Sequence, residues 1–409
     1  MRKSSYVLIL SVVILALVGL ALGGCGSTAT TTTAGGETTT TAGGGETTTT
    51  AAPAEDIIIG AVFGTTGKYA GGEAGIGNGA KMAIDEVNAA GGINGQKLVL
   101  MIEDSGSEQA GAVNAYNRLV AKNPLVIIDT ALSSFVLAQM EDIKKAEIPT
   151  YPMGENPALT QQGVSWVLRF STPDNVTPVA AVQFALDDLK KTKVAILRVN
   201  NEFGQTWEQL IIEELKNRNM EPVAVEVFGA DDKDMTAQLN KIKSAGADVM
   251  IVTADPTTHA VIIKQRAQFG MTAIEYVGSN TAVMPQTLEL LTGGEAEGIY
   301  ALTSAVPPED PDPKVKEWNA KYKELYGMDA DYIAADAYDS VMVTVDAIKA
   351  VGTDRAKIRD YILNEVKGVK GMGNVWNFSP EGDGGTQVSI AQVKDGKAPI
   401  IKTIAATVE

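Results

Sequence analysis

Near residue 130 the chain reads Asp129-Thr130-Ala131-Leu132-Ser133-Ser134, after a short apolar run and ahead of a helical pattern. The first turn of a helix holds backbone N–H groups with no partner inside the helix. Serine hydroxyls beside them add donors, and together they suit an anion such as a carboxylate. The same serines are good helix caps, so the segment is an anion site, a cap, or one serine for each. Two acids stand in comparable loops: Glu155 in Tyr151-Pro152-Met153-Gly154-Glu155-Asn156, and Asp255 directly ahead of Pro256. An ammonium group taken out of water is costly unless paired, so a bound amine needs a carboxylate of this kind. The plainer readings are a solvated loop acid for Glu155 and a helix cap for Asp255. Tyr69 and Phe203 add flat rings, which contribute apolar area and attract a ligand cation, or else pack the core.

Other chemistry is poorly supported. One Cys and one His in 409 residues exclude a disulfide framework and a zinc site built from those types. His259 lies at a helix start with no G-x-S-x-G nucleophile elbow to join it, so it reads as a surface or cleft-edge histidine. Gly75-Ile76-Gly77-Asn78-Gly79-Ala80 satisfies G-x-G-x-x-A, but it begins about a dozen residues after Phe63 rather than in the turn after a strand. It reads as a flexible glycine-rich loop entering a helix. The acidic stretches Asp231–Asp234 and Asp310–Pro313 lack the spacing of a calcium loop. With 50 acidic against 34 basic residues, a net charge of −16, the chain has no footprint for nucleic acid. No cofactor is expected.

The elements that must position these residues follow from the apolar pattern. Strands are predicted at Ile57–Phe63, Lys97–Ile102, Leu125–Ile128, Val194–Val199, Val223–Phe228 and Val249–Val252. Helices are predicted between them at Gly79–Ala89, Gly111–Ala121, Val136–Lys145, Glu208–Lys216, Met235–Ala245 and Thr258–Phe269. Such alternation implies an α/β fold with parallel sheets covered on both faces and every βα loop on one edge. Ligands then sit beyond the carboxyl ends of the strands. Proline-rich segments near 171–174 and 305–311 mark changes of course. Helices follow at Lys314–Tyr326, Tyr332–Ala350 and Arg355–Val366, with closing strands at Gln387–Val393 and Pro399–Ile404. Two doubly wound lobes joined by three crossings account for this order, with an N-terminal lobe of 56–171 plus 306–374 and a C-terminal lobe of 172–305 plus 375–409.

The amino end carries an address. A basic start at Arg2-Lys3 precedes the apolar run Tyr6–Leu22 and the sequence Leu22-Gly23-Gly24-Cys25. This resembles a bacterial lipobox, with 1–24 as the signal peptide, Cys25 as the lipidated first residue, and Gly23 a small departure. An uncleaved anchor and a plain secreted protein are the other readings. Residues 25–55 hold three rough copies of four Thr, small residues and a Glu, a composition too poor in apolar groups to fold. The segment is a tether that places the rest of the chain outside the cytoplasm, on the membrane through its lipid.

From Asp56 to Glu409 the chain resembles the extracellular solute-binding proteins of branched-chain amino-acid ABC transporters, of leucine/isoleucine/valine-binding type. The marks are Ile58-Ile59-Gly60, Thr66-Gly67-Lys68-Tyr69, the run from Gly79 to Asn88 with Gly91–Gly95, Asn156–Thr160, Asn201–Gly204 and Glu297-Gly298-Ile299. The resemblance implies a type I periplasmic binding protein: a non-catalytic monomer whose lobes close on a small solute and hand it to an ABC permease. A sensory receptor of the same fold, without transport, is the alternative. By resemblance Ser133 and Ser134 grip the α-carboxylate, and Met153, Gly154 and Glu155 face the head group. Tyr69 and Phe203 are the walls, Phe203 standing where a Tyr is usual. Glu155 occupies the place of a hydroxyl, whereas Asn280 lies near the usual acid. The implied negative charge has moved to Glu155 or Asp255.

Overall fold

The structure is a computed structural model that describes residues 55–305 and 307–405. The signal peptide, Cys25 and all of the tether except Glu55 lie outside those residues. Among the described residues no helix is long and apolar enough to cross a membrane.

The first lobe alternates β1 (Ile57–Phe63), α1 (Ala70–Ala89), β2 (Leu98–Asp104), α2 (Gln109–Val120), β3 (Val126–Asp129), α3 (Ser133–Ala146), β4 (Thr150–Pro152) and a short α4 (Ala158–Gln161). Its strands form a parallel sheet in the order β2-β1-β3-β4. β1, Ile-Ile-Ile-Gly-Ala-Val-Phe, is buried on both faces, as expected of a β-branched central strand between two helical layers. One layer packs through Tyr116, Leu119, Val136 and Ile143. The other packs through Ile76, Met82, Ile84 and the late helix α11 described below.

The second lobe continues with α5 (Thr177–Gln183), β5 (Val194–Val199), α6 (Glu202–Asn217), β6 (Ala224–Phe228), α7 (Thr236–Ser244), β7 (Val249–Thr253), α8 (Pro256–Gln268), β8 (Glu275–Gly278), α9 (Pro285–Leu288) and β9 (Tyr300–Thr303). The chain then returns to the first lobe for α10 (Pro313–Tyr326), α11 (Tyr332–Val351), α12 (Arg355–Glu365) and a hairpin of β10 (Lys367–Lys370) with β11 (Val375–Asn377). It finishes with β12 (Gln387–Gln392) and β13 (Ile400–Ala405) on the second sheet. That sheet has the order β13-β12-β9-β8-β7-β5-β6. β9 through β6 are parallel, and the two closing strands join antiparallel. Trp376 and Phe378 sit in the first lobe's core, beyond the expected change at 374/375, and the chain enters the second sheet at Gln387.

One sequence expectation is overturned here. Gly75–Ala80 is not a flexible loop but the middle of α1, which starts nine residues before the predicted Gly79. α1 lies so close to α11 that a Cβ at Gly79 would stand 2.0 Å from the Ala334 carbonyl oxygen, and one at Gly75 would stand 2.6 Å from Asp331 Oδ1. Glycine costs about 1 kcal/mol in a helix interior. Here it admits the contact between two buried helices, and α11 is apolar nearly all round because it lies inside.

The crossings are laced to one another. Thr172 Oγ1 donates to the Gln387 carbonyl at 2.8 Å and accepts from Asn374 Nδ2 at 2.9 Å. The fully buried Arg169 Nη1 donates to the carbonyls of Glu155 (2.8 Å) and Asn156 (2.7 Å), while its Nη2 meets the Asp383 carboxylate.

Candidate functional site

A cavity of about 200 Å³ lies beyond the carboxyl ends of both sheets. The first lobe lines it with Lys68, Tyr69, Glu73, Leu132 to Ser134, Met153 and Glu155; the second contributes Phe203, Asp255, Asn280 and Met284, and α11 adds Tyr332 and Ile333. Of the residues expected from the sequence, Tyr69, Ser133, Ser134, Met153, Glu155, Phe203, Asp255 and Asn280 share this one cavity. Gly154 does not line it. It sits behind the wall, where a Cβ would stand 2.7 Å from Ser133 Oγ, so its lack of a side chain lets the β4 loop press against the start of α3.

Ser133 and Ser134 are the first two helical residues of α3; the cap position belongs to Leu132, which has no side-chain cap bond. Neither serine therefore caps the helix. Ser133 Oγ accepts a long bond from the Asn156 N–H at 3.3 Å. The free N–H groups at the helix start and the two hydroxyls give the cavity an electropositive end. Glu73 stiffens that end from behind. Its carboxylate takes the Gly64 N–H at 2.7 Å, the Ala131 N–H at 2.9 Å and the Thr130 hydroxyl.

Glu155 lines the same cavity. Its Oε1 accepts from Asn280 Nδ2 across the cleft at 2.5 Å, and Asn280 Oδ1 in turn accepts from the Thr281 N–H at 2.8 Å. Burial pushes the Glu155 carboxyl well above the usual carboxylate range. The Asp174 carboxylate adds to this, and Arg169 and the Asn280 bond oppose it. Asp255 is differently placed. Its oxygens accept from the Thr258 N–H (2.9 Å), the Thr257 hydroxyl (2.7 Å) and the Thr258 hydroxyl (3.0 Å), so it caps α8 while lining the cavity.

The walls are apolar. Tyr69 stands edge-on to Phe135 with centroids 6.4 Å apart, and Phe203 rests on Trp207 at 5.8 Å. At the mouth, Lys68 Nζ reaches from the first lobe to the Ala230 carbonyl (2.6 Å) and Asp231 Oδ1 (2.9 Å). Elsewhere, Asn156 Nδ2 donates to Thr206 Oγ1 at 3.1 Å in a part-buried bond, and at the surface Gln286 Nε2 donates to the Gly71 carbonyl at 3.2 Å. Each of these bonds joins the two lobes across the cleft.

His259 departs from its expected surface or cleft-edge position. It is fully buried, with Nδ1 2.6 Å from the Tyr276 hydroxyl and Nε2 3.0 Å from Ser279 Oγ. Burial pushes its pKa down to about 3. Lying four residues after the cap Asp255, it turns inward onto β8 and anchors the residue before Asn280. Sequence reading missed Glu73, which lies in the first turn of α1, ahead of the helix start expected at Gly79. It also missed Tyr332 and Ile333, which the packing of α11 on α1 delivers from far along the chain.

The family profile described as periplasmic binding protein matches residues 56–398. An amino acid binding protein of Pseudomonas aeruginosa is 27% identical over 312 residues, covering 74% of this chain and 82% of that protein. Leu/Ile/Val-binding protein homolog 1 of Brucella suis is 26% identical over 300 residues, covering 73% and 80%. Among solved structures, the leucine binding protein LivK of Thermotoga maritima superposes with a TM-score of 0.77 at 25% identity over 85% of this chain and 99% of that one. LivJ of Streptococcus pneumoniae, in complex with isoleucine, gives a TM-score of 0.78 at 24% identity over 86% and 99%.

Proposed function

From the premise that the chain belongs to the periplasmic binding protein family, we propose that it captures a small extracellular solute, an amino acid or related small carboxylate, and delivers it to an ABC-type permease. The observation that carries this reading is a small apolar-walled cavity between two lobes that is lined both by a helix start presenting donors and by the Glu155 carboxyl. An α-amino acid has the complementary charges: its carboxylate meets Ser133 and Ser134, its ammonium meets Glu155, and an apolar side chain lies among Tyr69, Met153, Phe203 and Met284. Glu155 is the better ammonium partner than Asp255, whose oxygens already hold three donors at the start of α8. The named ligands of the relatives, leucine, isoleucine and valine, fit such a cavity.

The lobes act as 56–171 plus 306–386 and 172–305 plus 387–409, the last change following Trp376 and Phe378 in the first lobe's core, with Cys25 lipidated after removal of 1–24 and the tether 25–55 holding the monomeric receptor outside the cytoplasm. Capture of micromolar strength corresponds to about 8 kcal/mol. At a thousandfold excess over Kd, such a ligand stabilises the folded form by about 4 kcal/mol. A thermal-shift screen of the full-length protein against amino acids and small carboxylates tests the reading. A rise of several degrees is expected with apolar amino acids, and no rise with any small carboxylate refutes it. Loss of uptake of the hit in cells lacking the gene separates transport from a purely sensory role.

A further inference from the structure

Three carboxylates line the cavity, and their bonding differs. Glu73 has both oxygens bonded to Gly64, Thr130 and Ala131. Asp255 has both bonded at the start of α8. Glu155 has one oxygen on Asn280, and its Oε2 bonds to nothing among the described residues. Among the described residues no cation forms an ion pair with it, although Arg169 lies near enough to oppose its upward shift. Arg169 spends its Nη atoms on the backbone carbonyls of Glu155 and Asn156 and on the Asp383 carboxylate. Lys68 spends its ammonium on Ala230 and Asp231 across the mouth. A buried carboxylate in that position needs a counter-charge from the ligand or a proton from solvent.

Resting on the solute-receptor reading, we propose that Glu155 gives this site two ligand classes: α-amino acids when its carboxyl is ionised, and the 2-hydroxy or 2-oxo acids of the same carbon skeleton when it is protonated. In the first state Glu155 accepts from the ligand ammonium. In the second its O–H donates to the uncharged oxygen at the same carbon. The carboxylate end at Ser133 and Ser134 is common to both. Asn280 Nδ2 serves both states as well, since a carboxylate oxygen and a carboxyl carbonyl each accept from an amide.

The groups facing Glu155 bias it towards the proton. Asp174, whose Oδ2 is buried without a partner, raises it. Glu155 in turn acts on Tyr332 and Asp336 of α11, two groups that burial pushes well above their usual ranges, and Asp336 also feels Asp331 and Asp339. Arg169 opposes them, and Lys68, Glu73 and Asp255 complete the charges around the cavity.

The proton balance follows. When Glu155 starts protonated, an amino acid arrives as ammonium, Glu155 gives up its proton to solvent, and one carboxylate–ammonium pair forms. Below the pKa of the free site, amino-acid affinity therefore falls about tenfold per pH unit, and above it the affinity is flat. Affinity for a hydroxy acid runs the other way, flat below that pKa and falling above it.

Titration calorimetry of the full-length protein with leucine and leucic acid, and with phenylalanine and phenyllactic acid, from about pH 5 to pH 9 in buffers of different ionisation enthalpy, tests this. The expected result is a ratio of amino-acid to hydroxy-acid affinity that climbs by about tenfold per pH unit across the range, with up to one proton released on amino-acid binding at the acid end. Glu155→Gln should weaken the amino acids by about a hundredfold or more and remove the pH dependence of the hydroxy acids. A flat ratio in the wild type, amino-acid binding without proton release at any pH, or equal loss of both classes in Glu155→Gln overturns the inference and leaves the receptor reading intact. Failure of every pair to bind the wild type at any pH overturns both.

Discussion

Replacing Ser133 and Ser134 together by alanine tests the electropositive end of the cavity without dismantling it. The double variant keeps both backbone N–H groups at the start of α3 and removes only the hydroxyls. A hydrogen bond to a charged group is worth about 1.5–3 kcal/mol. Losing one hydroxyl contact with the ligand carboxylate therefore weakens binding by about tenfold to a hundredfold, and losing both weakens it further. The N–H groups that remain keep binding measurable. The apo protein loses a single long bond, the 3.3 Å contact from the Asn156 N–H to Ser133 Oγ. Alanine's better helix propensity returns a few tenths of a kcal/mol, so unliganded stability falls by about 1 kcal/mol or less. Calorimetric titration with the strongest ligand of the thermal-shift screen gives the first number, and denaturant unfolding without ligand gives the second. A Kd within about twofold of wild type refutes carboxylate recognition by these serines; a loss of affinity matched by a large loss of apo stability shows a structural role instead.

Other outcomes follow from the same geometry. Arg169→Met takes the guanidinium from the Asp383 carboxylate, which keeps only the Thr160 hydroxyl, and from the Glu155 and Asn156 carbonyls, and should cost about 3–5 kcal/mol in denaturant unfolding. Gly79→Ala forces a Cβ against the Ala334 carbonyl, so α1 and α11 must part, at about 1–3 kcal/mol by the same assay. His259 has its folded pKa lowered to about 3 from an unfolded value near 6.5, so its contribution is present above about pH 6.5 and is lost as the pH falls towards 3. His259→Gln should therefore remove up to about 1.4 kcal/mol per pH unit from the slope of stability against pH in that window. Cys25→Ser should shift the protein from the detergent phase to the aqueous phase on partitioning, if lipid is what holds it to the membrane.

Much of the fold was legible from local composition. β1 and β5 have the predicted bounds, and the other predicted strands differ by a residue or two, because β-branched runs buried on both faces leave a plain signal. The four-residue strands β8 and β9 were not predicted; runs that short carry no period. α1 was cut short because its glycines read as breakers, and their purpose shows only when α11 is packed against them. The site was half visible. The helix start at Ser133 and the cap at Asp255 follow from local rules, whereas the pairing of Glu155 with Asn280 needed the resemblance and then the closed cleft. His259 was misread and Glu73 overlooked for one reason: burial is set by neighbours distant in sequence.

The guanidinium of Arg169 has a mechanical consequence. One set of its contacts grips the backbone on which Glu155 is mounted, and another grips Asp383 in the segment leading from the first lobe to β12. The two are geared together: a turn of the second sheet about its connections tugs on the mount of the charged end, and a solute that steadies the mount resists the turn. In the receptor proposed above, occupancy of the site is thereby coupled to the angle of the second sheet, which a membrane partner can feel without touching the solute.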